Sequence, residues 1–210
     1  IESTLSLKLE GGVGYLRIAE FSAKTADDAA VAIKKLKKDG ATSLILDLRN
    51  DPGGLLSAAV EVASMFLGES RLIVYTQSRR ADSRQGFLAA ANAPHPTLPL
   101  GVLINGGSAS GSEIVAGAMQ DHKRAVVVGQ RSFGKASVQS LIPLPDGSGL
   151  RLTVARYYTP AGRSIHRDEK NKTGGIVPDI VVPVTQEAEA KLYAQWELIY
   201  AKDKKPHSVV

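Results

Sequence analysis

Short apolar runs alternate with helical segments between residues 26 and 129, and this order restricts the fold more than any other feature of the sequence. Each apolar run is short enough and apolar enough to be a strand buried on both faces. The predicted strands are 43–48, 72–77, 100–105 and 125–129, and the predicted helices are 26–38, 55–67 and 110–120. The order β-α-β-loop-β-α-β predicts an α/β core with parallel strands.

Alternation of apolar and polar residues marks the two flanks of this region. The alternating segments are 5–9 and 13–18 before it, and 137–144 and 150–158 after it. Each pair surrounds a glycine-containing turn, so a hairpin is predicted at each end and the C-terminal half is β-rich. Residues 186–202 have the pattern of a terminal amphipathic helix. We therefore expect a core over residues 1–185, followed by a helix and tail over 186–210.

The segment 78–99 fits neither pattern. It is polar and basic at first and then rich in Ala and Pro, with no clear periodicity. A structureless stretch of this length inside a compact domain is usually a functional lid or a flexible loop. We predict a flap here.

Composition excludes several classes of function. The net charge of +5 comes from dispersed basic residues, and a single Trp offers little for stacking on bases, so nucleic-acid binding is not expected. The absence of Cys excludes a thiol nucleophile, a disulfide framework and a Cys-ligated metal, and the four His residues lack metal-ligand spacing. No run approaches the roughly 18 apolar residues of a membrane span. A chain that opens on Ile1, with no visible secretory signal, is expected to be a processed protein or an excised piece.

Ser110 lies where a loop of small residues, Gly-Ser-Ala-Ser-Gly-Ser at 107–112, leads from an apolar run into a predicted helix. Free N–H groups and the helix dipole favour negative charge at that position, as an oxyanion hole requires. The alternative is that Ser110 only caps the helix, with Glu113 completing a capping box. Taken alone, the motif favours the capping interpretation.

Lys135 shifts the interpretation of Ser110 from helix capping towards a catalytic role. It lies between Gly134 and Ala136 in an otherwise apolar or small segment, where desolvation would disfavour its ammonium form and suit it to act as a general base. The alternative is a surface lysine at a strand end. In an extended chain residues 135 and 139 share a face, so the Gln139 amide is placed to orient the amine. A serine, an amine and an amide follow the logic of a catalytic triad.

The loop 50–54, Asn-Asp-Pro-Gly-Gly, ends a buried strand and opens a helix, where the active-site loops of α/β proteins usually lie. Gly53 and Gly54 allow close approach of the backbone, so their N–H groups could supply a second oxyanion donor. A purely structural turn is the alternative. A histidine base is not expected, because His122 lies 12 residues beyond Ser110, about 18 Å along the helix. A charge at the helix C-terminus explains His122 better.

Several motifs, in one order, together resemble the C-terminal processing (tail-specific) proteases, which are serine endopeptidases of bacteria and chloroplasts. The matching segments are DLRNDPGG at 47–54, SASGSEI at 108–114, VG at 128–129 with FGK at 133–135, TPAGRSI at 159–165 and GIVPDI at 175–180. The resemblance runs from about residue 13 to 182. It implies that Ser110 is the nucleophile, Lys135 the general base and Gln139 its orienting residue.

The resemblance also implies an oxyanion hole from the N–H of Gly111 and the Gly53-Gly54 loop. It further implies a twisted, mostly parallel sheet with flanking helices (a spiral core like that of crotonases and Clp proteases), cleavage near the C-termini of protein substrates, and no cofactor or metal. It places the protein in the periplasm or another extracytoplasmic compartment, membrane-associated in the full-length protein, with a homo-oligomer or a regulatory adaptor as further partners.

Two departures from the family pattern stand out. Family members usually have Ala after the nucleophile and Gly after the lysine, where this chain has Gly111 and Ala136. The family also carries a PDZ domain before the matching region, and such domains capture substrate tails by adding a strand. Two alternatives to an active protease therefore stay open. One is a latent or inactive core, and the other is a module on the same fold that binds lipids or peptides.

Overall fold

The structure of the protein is a computed structural model, which describes residues 3–168, 170–171 and 173–203. Within these ranges the chain forms four α-helices and ten strands on two sheets. In chain order they are β1 (Thr4–Lys8), β2 (Val13–Ile18), α1 (Thr25–Lys38), β3 (Ser43–Asp47), α2 (Leu56–Leu67), β4 (Leu72–Gln77), β5 (Gln85–Leu88), β6 (Leu100–Ile104), α3 (Gly111–Asp121), β7 (Val126–Gly129), β8 (Ser137–Pro143), β9 (Gly149–Tyr158), β10 (Ile180–Val181) and α4 (Gln186–Asp203).

The larger sheet has the order β1-β2-β3-β6-β7-β10, and all its neighbouring strands run parallel except the β1–β2 hairpin. Its central strands are buried because α1 packs against β1 and β2, α3 packs against β6 and β7, and α2 packs against both of these helices. Fully buried side chains of this layer include Leu46 of β3, Val102 of β6 and Val127 of β7. The α/β core with parallel strands, predicted from the apolar runs, is therefore confirmed.

One strand of the predicted parallel core belongs elsewhere. β4 lies in the smaller, antiparallel sheet, whose order is β5-β4-β9-β8. Ile73 and Val74 are fully buried in the main core, so the strand has the apolar character of a core strand. Its end pairs with β9 instead, where the rings of Tyr75 and Tyr158 stack with centroids 5.2 Å apart. Apolar content predicted the burial of β4 correctly but not the sheet that it joins.

The segment 78–99 is not structureless. It contains β5, which pairs antiparallel with β4, and Ala89 beyond it is buried and donates its N–H to the carbonyl of Arg71. The strand escaped the sequence analysis because it has only four residues and they are mostly exposed. A flap function for this segment stays a prediction.

The terminal helix α4 begins at Gln186, as predicted. Its Trp196 is buried, and the Arg17 guanidinium at the end of β2 lies 3.5 Å from the ring centroid. Glu189 accepts a hydrogen bond from the amide of Asn105, over 3.3 Å. The helix thus rests on residues at the carboxyl ends of β2 and β6. The predicted tail beyond residue 203 lies outside the described residues.

None of the helices that the structure describes is both long enough and apolar enough to cross a bilayer.

Candidate active site

Two loops meet at the carboxyl ends of the adjacent parallel strands β3 and β6, the edge at which α/β proteins place their ligands. The Asn105 side chain joins them: its Oδ1 accepts the N–H groups of Asn50 (2.9 Å) and Gly107 (3.1 Å), and its Nδ2 donates to Asn50 Oδ1 (3.0 Å). The N–H of Ala109 donates to the carbonyl of Asp51 over 2.9 Å. The glycine-containing loop 50–54 is therefore fixed against the loop that carries Ser110.

Three serines lie at this junction, and the structure separates their roles. Ser108 and Ser112 are fully buried, and their hydroxyls donate to the carbonyls of Leu48 (2.8 Å) and Asp51 (2.9 Å). Ser110 is half-buried and directly precedes α3, with φ of 52° and ψ of −109°. A non-glycine residue in such a conformation is strained, and strain of this kind concentrates at functional sites. Ser110 is thus the least buried of the three serines, and it also forms the predicted capping box with Glu113 at the start of α3, so its role as nucleophile stays a prediction.

The carboxylate of Glu113 ties Ser110 to the segment that carries Lys135. Its Oε2 accepts the N–H groups of Ser110 (2.9 Å) and Lys135 (2.8 Å). Its Oε1 accepts the hydroxyl of Ser132 (2.5 Å) and the N–H of Gly134 (2.6 Å). Because one oxygen receives both N–H groups, the amide nitrogens of Ser110 and Lys135 lie no further apart than the sum of those two distances. The structure therefore brings the two main chains together.

Glu113 is fully buried, and this burial raises the pKa of its carboxyl group, while its four hydrogen-bond donors act in the opposite direction. The capping-box interpretation explains only the bond to Ser110. The other three partners follow from the return of the chain at 132–135, which no local pattern predicts. The only sequence feature that indicated a role for Glu113 was its position, three residues after Ser110.

Lys135 is exposed, so the predicted desolvation of its amine is wrong for this structure. The physical reason lies in its neighbours. Ala136 is fully buried in the core, and Gly134 lies so close to Arg167 that an added Cβ would come 2.6 Å from the Arg167 Cβ. With both neighbours facing inward, the side chain between them is directed to solvent.

Gln139 lies on β8 and is exposed. The β8–β9 register shifts beside it, from Val138 opposite Ala155 to Gln139 opposite Thr153. The extra residue is therefore in β9, and the alternation along β8 is not interrupted. Whether the Gln139 amide orients the Lys135 amine stays a prediction.

The glycine loop packs directly against Ser110. Gly53 has φ of 94°, and a Cβ added there would lie 2.7 Å from both the Ser110 Cβ and the Gly111 nitrogen. The N–H of Gly53 already donates to Asp51 Oδ1 over 2.8 Å. Among the residues that the structure describes, the N–H groups of Gly54 and Gly111 have no acceptor. An oxyanion hole formed by these N–H groups stays a prediction.

His122 follows α3 as its C-cap, and its Nε2 lies 2.7 Å from the carbonyl oxygen of Leu72. The prediction that it marks the helix C-terminus is confirmed. Within the described part of the chain, no three His, Asp or Glu side chains are grouped so that they could hold a metal ion.

The fold combines an α/β core with a strained serine between a loop and a helix, and a glycine loop packs against that serine. The chain belongs to peptidase family S41, whose family model matches residues 12–182. This match agrees with the range over which the sequence motifs resembled the C-terminal processing proteases, and it confirms that resemblance.

Individual relatives agree with this assignment. The chain is 48% identical over 179 residues to the carboxy-terminal-processing protease of Bartonella bacilliformis, covering 83% of this chain and 40% of that protein. It is 47% identical over 170 residues to the carboxyl-terminal-processing protease of Synechocystis sp., covering 81% of this chain and 38% of that protein. The structure of the photosystem II D1 C-terminal processing protease matches with a TM-score of 0.76 and 34% identity, over 91% of this chain and 52% of that one. The chain thus spans less than half the length of the first two relatives.

Proposed function

We propose that this chain is the catalytic core of a serine endopeptidase that cleaves peptide bonds near protein C-termini, with Ser110 as nucleophile and Lys135 as general base. The single observation that carries the proposal is the Glu113 carboxylate, which binds the main chains of both residues through one oxygen. The named activities of the relatives support the same reaction, because they are carboxyl-terminal-processing proteases.

The reaction follows from these positions. The neutral amine of Lys135 accepts the proton of the Ser110 hydroxyl as Oγ attacks the peptide carbonyl carbon. The tetrahedral intermediate collapses, the C–N bond breaks, and the leaving amine takes the proton from the Lys135 ammonium group. Water then attacks the Ser110 ester with the same amine as base, which releases the new C-terminus and restores the hydroxyl. In this scheme the Gln139 amide orients the amine.

The oxyanion of the intermediate needs donors at the N-terminus of α3. Gly111 and Gly54 are the best candidates among the predicted donors, since their N–H groups are free of other described acceptors. Gly53 contributes by its shape, because any side chain there would collide with the Ser110 Cβ. Its own N–H would become a donor only after leaving Asp51.

Substrate binding is proposed to complete the site. β8 is an edge strand of the smaller sheet, so an extended peptide could pair with it beside Lys135. A bound peptide, together with a flap formed by residues 78–99, would exclude water from the exposed amine. The substrates would be proteins with accessible C-termini in an extracytoplasmic compartment such as the periplasm, and a homo-oligomer or an adaptor would assist recognition.

A latent core is the second candidate, and the exposure of Lys135 favours it. The exposed amine is not enclosed in a site from which water is excluded, as the proposed catalysis requires. On this account the predicted core, residues 1–185, awaits a closing event before it cleaves peptides.

Peptide cleavage by the purified chain tests the proposal. We expect Ser110→Ala and Lys135→Ala each to lower kcat/KM by more than about a thousandfold, because each removes a group that acts in the transition state. Ser43→Ala and Lys34→Ala, which replace a half-buried serine at the start of β3 and an exposed lysine of α1, should leave it unchanged. Full turnover by Lys135→Ala would refute the dyad. Labelling of Ser110 by a covalent serine-directed probe without turnover would favour the latent core.

A further inference from the structure

Asp51 is a fully buried acid in the loop between β3 and α2, and the scheme above gives it no role. Its Oδ1 accepts the N–H of Gly53 over 2.8 Å. Its main-chain carbonyl accepts both the N–H of Ala109 and the hydroxyl of Ser112, each over 2.9 Å. Asp51 therefore joins the glycine loop to both sides of Ser110, directly behind the proposed oxyanion hole.

The second oxygen of this carboxyl group, Oδ2, is buried and has no hydrogen-bond partner among the described residues. A buried ionised carboxylate needs a full set of donors, and one that lacks them favours the protonated state. Burial raises the pKa of Asp51 to about 7, although the N–H of Gly53, the hydroxyl of Ser112 and the positive charge of Arg17 act in the opposite direction.

The charged groups around Asp51 come from β2, from the segment that follows β2 and from α3. Arg17 at the end of β2 is close enough to stabilise a negative charge on Asp51, but its guanidinium donates to the carbonyl of Arg49 (2.7 Å) and stacks on Trp196. Glu20, which follows β2, opposes ionisation of Asp51. Glu113 of α3 uses both of its oxygens on other donors. No described ion pair involves Asp51.

We propose that Asp51 is a positioning residue for the oxyanion-binding loop and that it serves catalysis as a neutral carboxylic acid. The inference rests on the proposed function. A neutral carboxyl group still offers an oxygen to the N–H of Gly53, so the loop keeps its shape. It also carries no negative charge behind the N–H groups that receive the oxyanion. A carboxylate in that buried position would repel the charge that develops on the intermediate, since such repulsion is strong where water is excluded.

Asp51→Asn separates shape from charge, because the Asn amide oxygen can accept from Gly53 but the side chain never ionises. The experiment compares kcat/KM of the wild-type chain and the variant between pH 5.5 and 9. The wild-type acid loses its proton as the pH rises through about 7. We therefore expect the ratio of variant to wild type to rise, on the order of tenfold between pH 6 and 8.5. Asp39→Asn, at an exposed acid beyond α1, should give a flat ratio.

A direct titration of the Asp51 carboxyl group tests its protonation state without measuring peptide cleavage. The carbon-13 resonance of the Asp51 carboxyl group, assigned by its loss in Asp51→Asn, should titrate near neutral pH. Titration below pH 5, or a flat ratio for Asp51→Asn with Ser110→Ala inactive, would overturn the role of Asp51 alone. Peptide cleavage that survives in Ser110→Ala would instead overturn the proposed function, and the catalytic role of Asp51 with it.

Discussion

At the scale of single residues, the site depends on acids that sit behind the reacting groups. The carboxyl group of Glu113 receives four donors and that of Asp51 receives one, the backbone N–H of Gly53, and both acids are fully buried. Neither touches the substrate in the proposed reaction. They hold the backbone of the nucleophile loop, the lysine segment and the glycine loop in one arrangement, which is the preorganisation that serine catalysis requires.

Glu113→Gln should lower kcat/KM by roughly ten- to a hundredfold, because an amide nitrogen cannot accept the N–H groups that one carboxylate oxygen now accepts. Ser132→Ala is the matched control. It removes one donor from the carboxylate and leaves the bonds to Ser110 and Lys135, so its loss should be smaller. Steady-state kinetics normalised to the fraction of folded protein checks this order. Equal activity in Glu113→Gln and the wild type would show that the carboxylate does not position the pair.

At the scale of elements, α4 supports the site from outside. Trp196 covers the Arg17 guanidinium, which in turn donates to the carbonyl of Arg49 just before the glycine loop. Glu189 reaches the Asn105 amide that joins the two active-site loops. The helix therefore contacts side chains that hold the two active-site loops.

Trp196→Ala should destabilise the protein by about 3 kcal/mol, since it removes a large buried side chain and a cation–π contact. Tyr193→Ala, on the same helix but more than one-third exposed, should cost clearly less. Chemical denaturation followed by circular dichroism measures both. Identical midpoints for the two variants would mean that α4 does not dock through Trp196.

The helices and strands also show which parts of the fold local sequence patterns can predict. The apolar runs that became β3, β6 and β7, and the serine at the start of α3, were predictable because burial and helix capping leave local patterns. The sheet that β4 joins was not predictable, because strand pairing depends on the partner strand. The partner, β9, begins some 70 residues after β4 ends. The hydrogen bond from the Lys135 N–H to Glu113 and the exposure of that lysine depend on where the segment 132–135 packs in the folded chain. No local pattern encodes either of them.

At the scale of the whole molecule, the buried acid makes stability depend on pH. The pKa of Asp51 is about 7 in the folded protein against an ordinary value of 3.8. The unfolded chain therefore gives up its proton first as the pH rises, and stability falls between about pH 4 and 7.

Asp51→Asn should remove the loss of stability that the ionisation of Asp51 causes. Its free energy of unfolding, relative to the wild type, should increase by up to about 4 kcal/mol between pH 4 and pH 8. Urea denaturation at several pH values gives the difference. A difference that stays constant with pH would show that Asp51 ionises as readily in the folded protein as in the unfolded chain.

If Lys135 activates Ser110, the rate at which a covalent serine-directed probe labels Ser110 should depend on pH. The comparison is with Lys135→Arg, which keeps the positive charge but cannot give up its proton. We expect labelling at Ser110 to accelerate with pH in the wild-type chain and to stay slow at every pH in Lys135→Arg. Equal labelling rates in the two proteins, or labelling at a residue other than Ser110, would contradict it.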